Sequence, residues 1–194
     1  LISPNKVYPQ FYQDLKKVLK TGKVSLFQLR LKKYSFKQQI IIGKKINLIC
    51  KKNGVKFIVN DDPILARKLN ADGCHLGQKD TSLSEAKKIV GNKIIGITCH
   101  NSIKLAKTAV KNKANYLALG AFFSTKTKKT KYKATYKLLN KVKKLTKTSL
   151  VAIGGINNKN YKKLLLNKAN FLAISGYIWD NKRYKPIEAI EKLK

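Results

Sequence analysis

The chain contains no methionine, one tryptophan, four prolines and three cysteines in 194 residues. Acidic side chains are scarcer still: nine Asp and Glu stand against 43 Lys and Arg, for a formal net charge of +34. No apolar run approaches the roughly 18 residues that cross a bilayer, and nothing at the start reads as a secretory leader. Cys50, Cys74 and Cys99 are odd in number and form no C-x-x-C pair. Three unpaired thiols suit a reducing compartment, so a cytoplasmic location is expected. The opening "LISPNK" has no initiating Met and reads as a clipped first strand. No Pro- or Gly-rich linker divides the chain, and its 43% hydrophobic content suffices for one core and one domain.

A charge this positive raises nucleic acid as a partner. Only Arg30, Arg67 and Arg183 are arginines, however, and readers of base edges favour Arg for its bidentate fork. The lysines are spread over the whole length with no reading motif among them. A solvated Lys-rich surface is the better account, with neither nucleic acid nor membrane expected.

What is present is an alternation of two kinds of segment. Short β-rich runs occupy 24–31, 56–60, 73–77, 93–99, 115–123, 149–155 and 170–175. Helical spacing of apolar residues marks 11–19, 36–50, 63–69, 83–90, 103–110, 136–145, 160–166 and 186–193. Ser35, Asp62-Pro63, Ser82 and Ser102 supply helix starts. Strands alternating with helices imply a parallel sheet built of βα units. With "LIS" counted as the first strand, the chain has the eight units of a compact (β/α)8 TIM barrel, an α/β fold; a doubly wound open sheet is the alternative.

In such a barrel the chemistry lies at the C-terminal ends of strands. This filter selects Gln28, Arg30 and Lys32, then Asn60, Asp61 and Asp62, Gln78 and Asp80, Thr98 and His100. On the later strands it selects Thr125, Thr127 and Lys128, Gly154 and Gly155, and Ser175 and Gly176. Four of the nine acids, Asp61, Asp62, Asp72 and Asp80, fall within twenty residues. Asp62 is expected to cap a helix and Asp72 to hold a turn. Asp61 and Asp80 follow consecutive strands, so their carboxylates can converge on Mg²⁺. Arg30, Lys32 and Lys128, with Asn60, can surround a pyrophosphate. "AIGGIN" and "AISG" suggest a second anion site made by backbone amides, although tight-turn packing explains Gly154-Gly155 as well. Cys99 and His100 are adjacent on a strand, point to opposite faces and make no catalytic pair. Cys99 and His75 are expected in the core, and Phe122 and Phe123 are expected to pack; His100 stays open as a substrate contact.

Six segments in this order, "QLRLK" (28–32), "VNDD" (59–62), "ADGCHLGQKD" (71–80), "GITCH" (96–100), "TKTK" (125–128) and "AIGGI" (152–156), resemble the thiamine-phosphate synthase family. The resemblance runs from about residue 24 to residue 178. It implies a Mg²⁺-dependent alkyl transferase joining a hydroxymethylpyrimidine pyrophosphate to a thiazole phosphate, with loss of pyrophosphate by a dissociative route. Both substrates are small molecules, and self-association is left open. The resemblance assigns Gln28, Arg30, Lys32, Asn60, Thr98 and Lys128 to the pyrimidine pyrophosphate. Of these, Arg30, Lys32, Thr98 and Lys128 act on the reacting groups. It assigns Asp61 and Asp80 to the metal, and Thr125, Thr127, Gly155, Ile174 and Ser175 to the thiazole phosphate.

The chain departs from the family pattern at Leu31, where Glu is common, at Thr98, where Ser is common, and at Ala121 and Ser124, where Pro is common. Leu31 should then turn away from the rim. Two rivals remain: a thiazole tautomerase of the same fold, working through His100, and a basic nucleic-acid-binding protein.

Overall fold

The computed structural model describes residues 1–125 and 131–193. Seven parallel strands form one sheet, hydrogen-bonded in chain order. They are β1 (Leu26–Leu29), β2 (Lys56–Asn60), β3 (Gly73–Leu76), β4 (Ile94–His100), β5 (Tyr116–Gly120), β6 (Ser149–Ile153) and β7 (Phe171–Ala173). Each joins the next through a helix: α2 (Phe36–Lys52), α3 (Pro63–Lys68), α4 (Leu83–Val90), α5 (Ile103–Lys111), α6 (Tyr136–Leu145) and α7 (Tyr161–Leu166). Before β1 lies α1 (Phe11–Lys20); after β7 come α8 (Gly176–Trp179) and α9 (Pro186–Glu191).

Local chemistry explains where these helices begin. Ser35 and Ser82 each accept from the amide three residues on, and Gln38 and Glu85 reach back to close a capping box. Asp62 accepts from Leu65 N at 2.8 Å and is followed by Pro63, fixing the start of α3. In α1 the buried Phe11, Leu15, Val18 and Leu19 share one face, as a period of 3.6 requires.

Alternation along the strands sorts the two faces of the sheet. Phe27, Leu29, Phe57, Val59, Cys74, Leu76, Leu117 and Leu119 join the helices in one buried cluster. A fully buried side chain of this size contributes about 2 kcal/mol. The opposite face carries Gln28, His75, Thr98 and Tyr116, whose side chains meet one another across the strands.

The expected eighth strand is not one. Residues 1–3 make an isolated parallel bridge, Ile2 to Gln28, rather than a ladder. Gln28 N donates to Leu1 O (2.8 Å), Ser3 N donates to Gln28 O (2.9 Å), and Ile2 N donates to Ile174 O (2.9 Å). These residues thus bond to both ends of the sheet, but the segment is too short for more than one bridged pair. α8 was not anticipated, since four residues carry no helical period. It holds this seam: Trp179 Nε1 donates to Ile2 O at 2.7 Å, and the indole packs edge-on against Phe11.

Candidate active site

The strand ends and following loops place the selected residues in two groups. β1 ends at Leu29, so Arg30 and Lys32 lie in the loop beyond it, while the intervening Leu31 is buried, as its place between two rim residues predicts. Lys32 Nζ pairs with Asp61 Oδ2 at 2.6 Å. Arg30 N and O both bond to the Ser3 hydroxyl, and its guanidinium donates to Asn5 Oδ1 at 3.3 Å. Asp61 immediately follows β2 with a left-handed φ of 66°, a conformation Asp tolerates better than most residues. Its amide still pairs with His75 O at 2.7 Å, so the backbone is held while the side chain turns to the rim.

Asp80 closes the loop after β3, where Gly77 N donates to Asp80 Oδ2 at 2.7 Å. The Asp61 and Asp80 carboxyl groups come within hydrogen-bonding contact of each other. Their pKa values move apart. Burial and the Asp61 charge hold the Asp80 carboxyl above the ordinary value. Burial would also raise Asp61, but Lys32, Asp80 and Arg30 outweigh it and hold Asp61 below the ordinary value. The two carboxyl groups converge from consecutive strands and repel one another wherever both are charged. A hard divalent cation fits between two such carboxylates, relieving their repulsion. Among the described residues no third His, Cys, Asp or Glu joins them as a ligand cluster. Two carboxylates, with water and phosphate oxygens completing the shell, is a donor set Mg²⁺ accepts.

Two positions differ from the strand-end expectation. Gln28 sits within β1, buried below the rim, where its side chain bonds to the Tyr116 hydroxyl. Thr98 lies inside β4, two residues short of its end, and its Oγ1 is 2.8 Å from His75 Nε2. A register shift between Thr98 and His100 leaves Cys99 as the extra residue of a bulge. Cys99 is buried, and burial pushes its thiol up to about 12, so it supplies no thiolate. His100 has φ 50° and stacks on Tyr132, ring centroids 4.1 Å apart. His75 is buried, and burial pushes its imidazole down to about 4, so it is neutral.

The second group is built by backbone. Gly155 has φ 64°, and a Cβ there would meet Ser124 O at 2.3 Å. At Gly154 a Cβ would meet that of Ala121 at 2.4 Å. Packing of the β6 loop against the segment after β5 thus requires both glycines. Asn160 Nδ2 braces the same loop by donating to Gly155 O at 3.0 Å. Ser175 directs its hydroxyl to Ser3 O (3.0 Å), which leaves its backbone amide and those of Gly176 and Tyr177 for any anion at this end, while the Ile178 and Trp179 amides donate to Ser175 O. Ile174 is buried at the seam, Thr125 lies at the edge of the described segment, and Thr127 and Lys128 lie outside the described residues.

Sequence reasoning missed Ser3, Asn5 and Tyr116. Ser3 meets the Arg30 backbone through its hydroxyl and Asn5 meets the guanidinium through its side-chain oxygen, long-range contacts that no spacing announces. Tyr116 could have been found, since strand alternation puts it on the same face as Ala118 and Gly120.

A family model described as thiamine monophosphate synthase matches residues 1–178. The chain is 65% identical to the thiamine-phosphate synthase of Pelagibacter ubique, over all of the chain and 94% of the relative. It is 39% identical to that of Erythrobacter litoralis, over 97% of the chain and 91% of the relative. Among solved structures, a thiamine phosphate pyrophosphorylase from Pyrococcus furiosus superposes with a TM-score of 0.88 at 28% identity, covering 99% of this chain and 91% of that one.

Proposed function

The chain belongs to the thiamine monophosphate synthase family and has the activity of a thiamine-phosphate synthase; on that premise we propose that its two rim groups each hold one phosphorylated half of the product. The observation that carries this reading is the Lys32–Asp61–Asp80 cluster, in which a lysine cation pairs with one of two converging carboxylates that a metal would join.

Asp61 and Asp80 would hold Mg²⁺, which when bound supplies positive charge to the pyrophosphate oxygens. Lys32, given up by Asp61, would turn to the pyrophosphate with Arg30, Asn60 and Lys128. Arg30 offers a planar fork and the lysines point charges. These residues stabilise the charge that develops as the methylene C–O bond breaks and its electron pair leaves with pyrophosphate. The thiazole nitrogen then gives its lone pair to the methylene carbon, forming the C–N bond. No proton has to move in either step, which agrees with a rim that has electrostatic groups and no nucleophile–base dyad. Thr98 and Gln28 would orient the pyrimidine. Thr125, Thr127, Ile174, Ser175 and the Gly155 turn would seat the thiazole phosphate.

The geometry at residues 1–3 supports a sheet closed into a (β/α)8 barrel, with this segment as an abbreviated first strand. No helix among the described residues is long and apolar enough to cross a membrane, and a soluble cytoplasmic enzyme is the reading we adopt.

The test combines the purified chain with both phosphorylated halves, in Mg²⁺ and then in excess EDTA. Thiamine phosphate is followed by oxidation to fluorescent thiochrome. Product in Mg²⁺ and none in EDTA is the expected result. Product that survives EDTA would remove the metal, and no product from folded protein would return the tautomerase to consideration.

A further inference from the structure

Beneath the rim, a line of polar side chains crosses the inner face of the sheet from β1 to β4. The Gln28 side chain bonds to the Tyr116 hydroxyl, that hydroxyl lies 2.9 Å from His75 Nδ1, and His75 Nε2 lies 2.8 Å from Thr98 Oγ1. Gln28 and Thr98, the two ends, are residues placed at the pyrimidine under the proposed function. His75 and Tyr116, the two middle members, have no part in it. We propose that His75 and Tyr116 form a hydrogen-bonded spine that fixes the Thr98 hydroxyl as a donor toward the bound pyrimidine, which makes His75 a positioning residue.

The argument runs through donor and acceptor counts. Tyr116 is half-buried with its hydroxyl turned inward, its ring lying against the backbone of Gly96, where a Cβ would meet the nearest phenol carbon at 1.9 Å. A buried phenol O–H has to find an acceptor. The acceptor facing it is His75 Nδ1, 2.9 Å from the hydroxyl oxygen. The phenol proton then goes to His75 Nδ1. A neutral imidazole carries one proton, so with Nδ1 accepting, the proton sits on Nε2 and is donated to Thr98 Oγ1. The threonine oxygen is thereby an acceptor from below, and its own proton points away from His75. The spine thus sets the polarity at its far end, a donor hydroxyl at Thr98. The near-parallel stacking of the His75 and Tyr116 rings, 5.5 Å apart and 17° between planes, prevents the imidazole from turning over. His75 and Tyr116 come from β3 and β5, and Gly96 of β4 is what lets the phenol pass between them.

This inference rests on the proposed function for the identity of the ligand, so its test has one arm that needs no turnover. The chain has two histidines, and a His100→Gln variant assigns the ring ¹⁵N signals of His75. At neutral pH the expected spectrum is a neutral ring with the proton on Nε2. A proton on Nδ1, or on both nitrogens, overturns the spine. The kinetic arm uses Tyr116→Phe, which keeps the ring over Gly96 and removes only the hydroxyl. KM for the pyrimidine pyrophosphate should rise about tenfold, the worth of one hydrogen bond, with KM for the thiazole phosphate unchanged. Adding Thr98→Val to Tyr116→Phe should cost no more than Thr98→Val alone. Unchanged KM in Tyr116→Phe, or fully additive losses in the pair, overturns the proposal. His75→Gln, whose amide N–H can still donate to Thr98, should retain more activity than His75→Leu; equal loss in the two overturns it as well. Failure of wild-type protein to make thiamine phosphate would sink the functional reading and leave the ring spectrum to decide the spine.

Discussion

The two halves of the rim are built by different means. From β1 to β4 the candidate groups are charged or polar side chains held by one another: Lys32 on Asp61, Asp61 on Asp80, Asp80 on the Gly77 amide, and Thr98 on His75. From β5 to β7 the structure invests in backbone, with Gly154 and Gly155 packed against residues 121–124 and the Ser175 hydroxyl committed to Ser3. The difference fits the chemistry proposed for each. The first half would manage developing charge at a breaking bond, which needs groups that can change partner. The second would seat a phosphate that takes no part in the reaction, which needs only a rigid cradle of amides.

The comparison is most easily broken at the carboxylates. Asp61→Asn should lower turnover on the order of 100-fold, the scale of losing one charge-stabilising group. Asp62, a helix cap one residue away, serves as the control, and Asp62→Asn should leave turnover within a factor of two or so of wild type, as expected for a substitution that still offers the cap an oxygen. Thiochrome rates at saturating Mg²⁺ decide this, and equal rates in Asp61→Asn and wild type would dissolve the charged half as a functional unit.

The backbone half should respond in stability instead. Gly155→Ala forces an alanine to a φ of 64° and drives its Cβ into Ser124 O, at a cost of about 2–3 kcal/mol. At roughly 2–4 °C per kcal/mol for a chain of this size, the melting midpoint should fall by roughly 4–12 °C. Gly22→Ala has a similar φ of 70° but nothing within 4 Å of its Cβ, so it should cost about 1 kcal/mol. Calorimetry of the two variants separates packing from backbone strain. KM should rise for the thiazole phosphate and not for the pyrimidine.

The smallest effect has the opposite sign. The Asp80 carboxyl is held above its ordinary pKa, so the folded state grips that proton more tightly than the unfolded chain does. The associated stability is present at low pH and is lost as pH rises through the raised value. Asp80→Asn removes this loss. In EDTA its melting midpoint should exceed wild type by a degree or two at pH 7, the scale of one exposed charge interaction, and the gap should close as pH falls below the ordinary carboxylate range. A lower midpoint at pH 7 would mean that the two carboxyl groups are not in conflict.

Much of the first half was legible before the fold was known. Scarcity made the acids conspicuous, and their position after β-rich runs placed Asp61 and Asp80 at one end of a parallel sheet. Caps at Ser35, Asp62, Ser82 and Ser102 were equally plain, because a cap is a contact within four residues. The backbone half was legible only as glycine: "GG" says that room is needed, not whether a ligand or Ser124 fills it. Lys32–Asp61, His75–Thr98 and Ser3–Arg30 join residues 23 to 29 positions apart, and no local pattern carries them.

The sequence by itself determined the alternation of strand and helix, the helix starts and the residue types at the rim, since each depends on neighbours within one or two turns of chain. The tertiary structure alone decided that Gln28 and Thr98 lie beneath the rim, that residues 1–3 bond to both β1 and Ile174, and that Tyr116 reaches His75 past Gly96. These depend on register, and parallel register is set by side chains interlocking across strands that are distant in sequence.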